Sequence, residues 1–349
     1  MGLGTYILRR FLIMIPTLLG VTLIVFFIIN LAPGSPIEQK IQQLKFSGMG
    51  AAGGGGGISS RSGERSSAIS SEVIEALKKQ YGFDKPVHIR YFLWLKNLAH
   101  LNFGDSFTYG DSVISVIVSK FPVSLQFGVT SLFLSYIVCI FLGVFKAIRN
   151  GGQFDMLSSV LLFALYSIPS FMLAIVLIQF VAGGNYLEWF PIGGLLSDNY
   201  DDLTMMGKFW DRLHHFILPL VCYMIGSFTV LTMLMKNSLL DEIKKDYIRT
   251  ARAKGLSEKV VYLKHALRNA LIPIVTGLGG FLSVFFAGSL LLEVIFRLDG
   301  IGLMSYQAVL ERDYNVIMGS VFIQSILMLV GNLLSDIAYV VVDPRIDFT

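Results

Sequence analysis

The sequence predicts an all-α membrane protein with six transmembrane helices, and three observations carry that prediction. Of 349 residues, 54% are hydrophobic and only 15% charged, with a mean hydropathy of +0.66, a balance that no ordinary soluble domain keeps. Six hydrophobic blocks reach spanning length. Between the fourth and fifth lies the one long, strongly charged segment, Lys236–Arg268, with nine Lys/Arg against four Asp/Glu.

The first block, Phe11–Leu31, is a run of 21 uncharged residues behind Arg9 and Arg10. It can cross about 30 Å of hydrocarbon, it exceeds a secretory signal core, and no small-residue cleavage site follows. We read residues 1–32 as an uncleaved first helix whose arginines hold the N-terminus inside. Residues 33–120 then form a large external loop between helices 1 and 2. Within it, 47–70 is Gly/Ser-rich and carries Gly53–Gly57 in succession, a composition for a flexible segment. Gly48, Gly50 and Gly53 spell G-x-G-x-x-G, but a dinucleotide site needs a strand before that motif and a helix opening from it, and neither is predicted. Order is expected to resume at Ser71, which can cap a helix with Glu72 and Glu75 in its first turn. A second helix is predicted over Ile89–Leu101, with Tyr91, Phe92 and Trp94 at helical spacing.

The core, 121–349, holds the remaining blocks: Val123–Phe145, Met156–Ala182, Phe216–Met235, Ala270–Leu292 and Val316–Val342. Connections carrying Lys146 and Arg149 fall on the side of the basic segment, and Lys208, Arg212, Arg297 and Arg312 on the other. The segment's nine basic residues decide the orientation, with both termini cytoplasmic. Gly279, Ser283 and Ala287 in the fifth block, and Ser124 and Gly128 in the second, are small residues at four-residue spacing that let helices approach closely. Asp336 is the one ionisable group well inside a block; it needs a partner, with Lys146, Arg149 or the N-terminal arginines as candidates. Glu293 stands at the edge of the fifth block as an interface residue. Cys139 and Cys222 both fall in hydrophobic blocks and form neither a disulfide framework nor a metal set. His88, His100, His214, His215 and His265 have no metal-ligand spacing, so no metal is expected. No catalytic constellation and no Walker motif is present, so this chain is not an ATPase.

The charged segment, a cytoplasmic loop over 236–269, has finer structure. Ser238 and Asp241 resemble a capping box, Tyr247–Lys254 reads as helix, and Gly255 sits where a left-handed cap belongs. Ser257 can cap a further helix, with Glu258 at its positive end and Val260, Leu263, Leu267 and Ala270 as its apolar stripe. Ala251 and Ala253 leave room for a close partner. The positive-inside rule alone explains the charge excess; it does not explain small residues, a glycine break and two helices in succession.

The stretches TARAKG (Thr250–Gly255) and HALRNALIP (His265–Pro273) resemble the coupling-loop signature of permease subunits in the peptide-import branch of the ABC transporters. The wider importer pattern has Glu-Ala-Ala before the glycine, where Arg249, Thr250 and Ala251 stand here; the peptide branch replaces that Glu. The opening Leu8–Gly34, LNFGDSFTYGDSV (Leu101–Val113) and the closing VDPRID (Val342–Asp347) extend the resemblance to nearly the whole chain outside the Gly-rich insertion. It implies a type I ABC importer permease fold in the bacterial inner membrane. The chain would be the transmembrane subunit of an ATP-driven, binding-protein-dependent oligopeptide importer, admitting peptide-linked antibiotics as well, and would pass substrate inward by alternating access. The implied partners are a second permease subunit forming a heterodimer, an ATPase with two nucleotide-binding domains that holds ATP and Mg, a periplasmic peptide-binding protein and the lipid bilayer, with no nucleic acid. The docking role falls on Asp246, Tyr247, Thr250, Ala251, Arg252, Ala253, Lys254, Gly255 and Leu256. No residue is assigned to substrate, since the external protein can carry the selectivity.

Three other readings compete. A permease for a nickel-chelate or another small solute shares the loop pattern. An ATP-independent secondary transporter predicts intramembrane charges and inverted repeats with broken helices, and a membrane anchor predicts a loop that binds no ATPase.

Overall fold

The computed structural model describes residues 3–31, 84–183, 186–276 and 289–342. These are helical apart from loops, turns and one isolated antiparallel bridge between Asp105 and Ser112. In chain order the helices are α1 (Leu3–Leu31), α2 (Val87–Leu98), α3 (Val113–Ile148), α4 (Gln153–Ser167) and α5 (Ser170–Leu177, continued by a π turn, Ile178–Ala182). They continue with α6 (Met205–Ile243), α7 (Asp246–Ala253), α8 (Glu258–Val260, followed by a π turn, Val261–Ala266), α9 (Leu267–Ala270), α10 (Leu290–Ile295), α11 (Ile301–Leu310) and α12 (Tyr314–Val342).

Among the described residues α1, α3, α6 and α12 are long and apolar enough to cross a membrane, and α4 with α5 makes a fifth if that pair is one span. The pair is bent by 97°. Pro169 causes the break, because a residue before proline is pushed out of the helical region, and Ile168 accordingly has an extended ψ of 121°. The predicted fifth block, with Gly279, Ser283 and Ala287, falls largely on 277–288, outside the described residues. So do the 47–70 segment, the helix at Ser71 and all but the first residue of the closing VDPRID motif.

The chain divides into two compact units. The first is drawn from Met1–Met14, Lys120–Met304 and Gln324–Thr349. One of its cores joins Cys139 and Val144 of α3 to Leu231, Met235 and Leu239 of α6 and to Ile248, Ala251, Val261 and Ala270 of the charged segment. The other packs Phe127 against Ala174, Leu218, Cys222, Leu292 and Phe296, with the Phe127 ring stacked on Phe216 at 4.4 Å and on Tyr223 at 5.6 Å between centroids.

The second unit is drawn from Ile15–Ser119 and Ser305–Ile323. The predicted aromatic helix is there, as α2: Tyr91 is buried with Phe26 and Met318, and its hydroxyl meets that of Thr22 at 3.1 Å. The following Leu101–Val113 stretch is a tight turn with Gly104 at φ +80° and Gly110 at φ +75°. Asp313, just before α12, anchors it by accepting from the Ser106 hydroxyl at 2.5 Å and the Thr108 amide at 3.0 Å.

Several expectations are corrected. Ser238 and Asp241 do not form a capping box; both lie inside α6, because Leu231, Met235 and Leu239 continue one buried stripe past the first charge. At its other end α6 starts well before Phe216, capped by Thr204 accepting from the Gly207 amide at 3.2 Å. Lys146 is not in a connection but in the last turn of α3, 0% exposed, with the Asp155 carboxylate at 3.2 Å and the Ser158 and Ser159 hydroxyls at 2.6 and 2.8 Å. The expected pairing of Asp336 with an N-terminal arginine is present: Arg10 meets it at 2.7 Å.

Glu293, expected at the edge of the fifth block, is buried within the protein. It is 0% exposed and accepts from the Ser124 hydroxyl at 2.7 Å, the Leu303 amide at 3.0 Å and the Tyr223 hydroxyl at 3.3 Å. Its carboxylate faces the amino end of α11, where unpaired amides and the helix dipole favour negative charge. Ser124 also accepts from the Ile301 amide at 2.8 Å, so this small residue joins helices by hydrogen bonds as well as by size.

Candidate functional site

The charged segment leaves α6 through Lys244 and the extended Lys245, whose ψ of 152° redirects the chain into α7 with Asp246 in its first turn. This helix of eight residues has two sharply different faces. Ile248 is 0% and Ala251 7% exposed, both in the core with Met235 and Leu239 of α6. Asp246, Tyr247, Arg249, Thr250 and Ala253 are exposed. The apolar side is thus an internal anchor, and the other side is presented outward.

A Schellman motif ends the helix. The Gly255 amide donates to the Arg252 carbonyl at 2.9 Å and the Leu256 amide to the Ala251 carbonyl at 3.4 Å, which satisfies two of the helix's last carbonyls. The motif requires the left-handed region at Gly255, where φ is +77°. Lys254, Gly255 and Leu256 are exposed at the tip.

Side chains from both flanks brace this tip. Arg252 forks onto Glu258 with Nε to Oε1 at 2.8 Å and a second nitrogen to Oε2 at 3.2 Å, closing the Gly255 turn like a clasp. The fork holds the Glu258 carboxyl below its ordinary value, and the Glu258 carboxylate in turn raises Arg252. At the helix start, the Tyr247 hydroxyl donates to Glu242 at 2.5 Å and accepts from the Asn269 amide at 3.0 Å. Partial burial, and then donation to Glu242, push the Tyr247 phenol up.

Downstream, the predicted stripe holds at Ala270, which is buried, and at Leu267, which packs partly buried against the same core, but not at its first two positions. Val260 and Leu263 are 36% and 46% exposed, and the buried positions are Val261, Ala266, Ala270 and Ile274. A step of five between Val261 and Ala266 and steps of four thereafter are the signature of the π turn there, which inserts one residue into the helical period. Ser257 occupies the cap position before α8, but its carbonyl, not its hydroxyl, accepts the Val260 and Val261 amides at 2.9 and 3.0 Å.

Of the nine sequence-predicted residues, Asp246, Tyr247, Thr250, Ala253, Lys254, Gly255 and Leu256 are each exposed. Arg252 lies half-buried as the clasp of the Gly255 turn, and Ala251 faces inward, contrary to the expectation that it leaves room for a partner. The sequence reading missed Glu242, Tyr262 and Asn269, which brace the site from elements that only folding brings near. Ile248 was legible: it stands three residues from Ala251, both flanked by charge. Among the described residues there is no group of three or more His, Cys, Asp or Glu that could hold a metal ion.

Residues 139–348 match the family model described as the binding-protein-dependent transport system inner membrane component. The chain belongs to this family, the membrane-embedded permease subunits of ABC importers, which work with an ATPase and a substrate-binding protein. It is 44% identical over 361 residues, with 99% of each chain covered, to the inner membrane ABC transporter permease protein YejB of Escherichia coli O157:H7. It is also 44% identical over 359 residues, again with 99% of each covered, to the Agrobacterium fabrum protein named peptidoglycan transport system permease protein YejB. The oligopeptide transport system permease protein AppB of Bacillus subtilis is 34% identical over 347 residues, covering 99% of this chain and 100% of that one. Among solved structures, a chain of the MetNI methionine ABC transporter has a similar fold, with TM-score 0.51 and 18% identity over 66% of this chain and 97% of that one.

Proposed function

We propose that this chain is one of two permease subunits forming the membrane channel of an oligopeptide importer, with the exposed face of α7 and its Gly255 tip as the surface that an ATPase grips. The observation that carries the docking role is the two-faced α7: Ile248 and Ala251 fasten it to the membrane helices, while a braced, outward tip remains for another chain. ATP and Mg2+ sit on the ATPase, whose two nucleotide-binding domains grip this tip and its counterpart on the second permease. A periplasmic protein delivers the cargo. Nucleotide shifts the channel between inward and outward states only through its different affinity for the two. In this reading six helices cross the inner membrane, both termini are cytoplasmic, and a large periplasmic loop joins helices 1 and 2, as the basic loop and the paired Arg10 support.

Relatives named for oligopeptide and dipeptide transport support a peptide cargo. The Agrobacterium relative, named for peptidoglycan transport at the same 44% identity as the first, favours a second reading in which the cargo is a peptide fragment of peptidoglycan. The test is to co-purify the chain with its second permease and ATPase, reconstitute them in vesicles with the binding protein, and measure ATP hydrolysis. Stimulation by oligopeptides supports the proposal, and stimulation by muropeptides alone moves it to the second reading. Stimulation only by a nickel-chelate, or transport with no ATPase bound, overturns it.

A further inference from the structure

The charged network around Asp155 is not used by the docking site. Asp155, in the first turn of α4, is 5% exposed, and Lys236 of α6 reaches its two oxygens at 2.8 and 2.7 Å. Lys146 approaches from α3 at 3.2 Å, and the Gly151 amide donates to the same carboxylate at 3.0 Å. A second tie lies farther along the same pair of helices, where the Thr229 hydroxyl of α6 donates to the Leu162 carbonyl of α4 at 2.8 Å, both residues being 4% exposed. The spacing from Asp155 to Leu162 equals that from Thr229 to Lys236, about two helical turns in each case, and the chain runs in opposite directions. The two helices are therefore pinned antiparallel at two points in one register, and a slip of one turn breaks both ties together.

We propose that Asp155 and Lys236, with the Thr229–Leu162 bond, lock α4 to the C-terminal half of α6 so that both move as one body with α7, which makes Asp155 a positioning residue for transport. The inference rests on reading α7 as the coupling surface. Displacement of α7 reaches α6 through the core that Ile248 and Ala251 share with Met235 and Leu239, and the two ties hand it on to α4. The lock ends where the chain breaks. Continuing the register places Pro169 level with Cys222, and from there α5 turns away by 97° and packs by Ala174 into the other core, with Phe127 and Leu218. The bend thus marks the border between two packed groups. A buried ion pair adds little net stability over apolar packing, but it fixes register, which is the property this lock needs.

The test uses the complete complex with ATPase and binding protein, in a chain whose Cys139 and Cys222 are replaced by Ala. Leu162→Cys with Thr229→Cys allows α4 and α6 to be joined by a disulfide. The oxidised complex is expected to transport within about twofold of the reduced one; transport that stops on oxidation and returns on reduction overturns the proposal. Asp155→Asn is expected to lower transport about tenfold or more while the ATPase still co-purifies, and the disulfide is expected to restore it. Full transport by Asp155→Asn, or no rescue by the disulfide, overturns the lock. The disulfide in the chain that keeps Asp155 is informative even if Asp155→Asn does not fold. Loss of the ATPase from the unaltered complex would instead sink the coupling reading beneath it.

Discussion

At the scale of single residues, the proposed docking tip depends on backbone geometry at Gly255 and on one ion pair. A Cβ at Gly255 would meet nothing within 4 Å, so the cost of replacing it comes from its φ of +77° and not from crowding. A β-branched residue there pays about 1–2 kcal/mol in backbone strain, a factor of about 5–30 in the population of the formed turn. Gly255→Val is expected to lower substrate-stimulated ATP hydrolysis by that order, and Gly255→Asn, which tolerates the left-handed region, to stay near wild type; equal loss in both variants would point to crowding by the partner. The Arg252–Glu258 clasp sets a pH dependence. Because Glu258 is held below its ordinary value, its contribution is complete above the ordinary carboxylate range near about 4 and is lost only as pH falls through the lowered value. ATPase recovery with the permease is therefore expected to be flat from neutral pH down to that range, and Glu258→Gln to remove any fall below it.

At the scale of elements, α7 separates buried anchoring positions from exposed ones residue by residue. Ala251 and Ala253 are two residues apart in one short helix and so must face opposite ways; only the core beneath shows that Ala251 is the one facing inward. Ala251→Trp overpacks the protein's own interior, at about 1–3 kcal/mol, and is expected to lower the unfolding temperature of the isolated permease in detergent. Ala253→Trp, on the exposed face, is expected to change stability by no more than about 0.5 kcal/mol yet to reduce ATPase binding. The reverse pattern would place the partner on the wrong face of α7. The Gly255 cap and the helix before it were legible, since a left-handed terminus has a residue-level signature. The π turn at Val261–Ala266 was not: a pattern read at 3.6 residues per turn has no term for an inserted residue, so the stripe was misplaced at Val260 and Leu263, while Leu267 and Ala270 beyond the turn fall on the core side.

At the scale of the whole molecule, apolar length and the distribution of basic residues were enough to read an all-α membrane protein with its charged loop on one side. Four long helices and the bent α4–α5 pair correspond to five of the six predicted blocks. Hydropathy reading stops at the first charge, and for that reason it shortened α3 and α6. Lys146 and Lys236 continue those helices because Asp155, distant from Lys236 in sequence, compensates both charges. Such pairs, like the seat of Glu293 against Ser124 and Tyr223, exist only once helices are packed. In the proposed reading the outward tip of α7 is the surface through which an ATPase drives these helices, and that reading is most directly tested there. The measurement is photo-crosslinking in the active, substrate-stimulated complex, with a photoreactive side chain placed in turn at Thr250, at Ala253 and at the distant Arg297. The account predicts ATPase adducts from Thr250 and Ala253 and none from Arg297; an active complex in which neither Thr250 nor Ala253 labels the ATPase would contradict it.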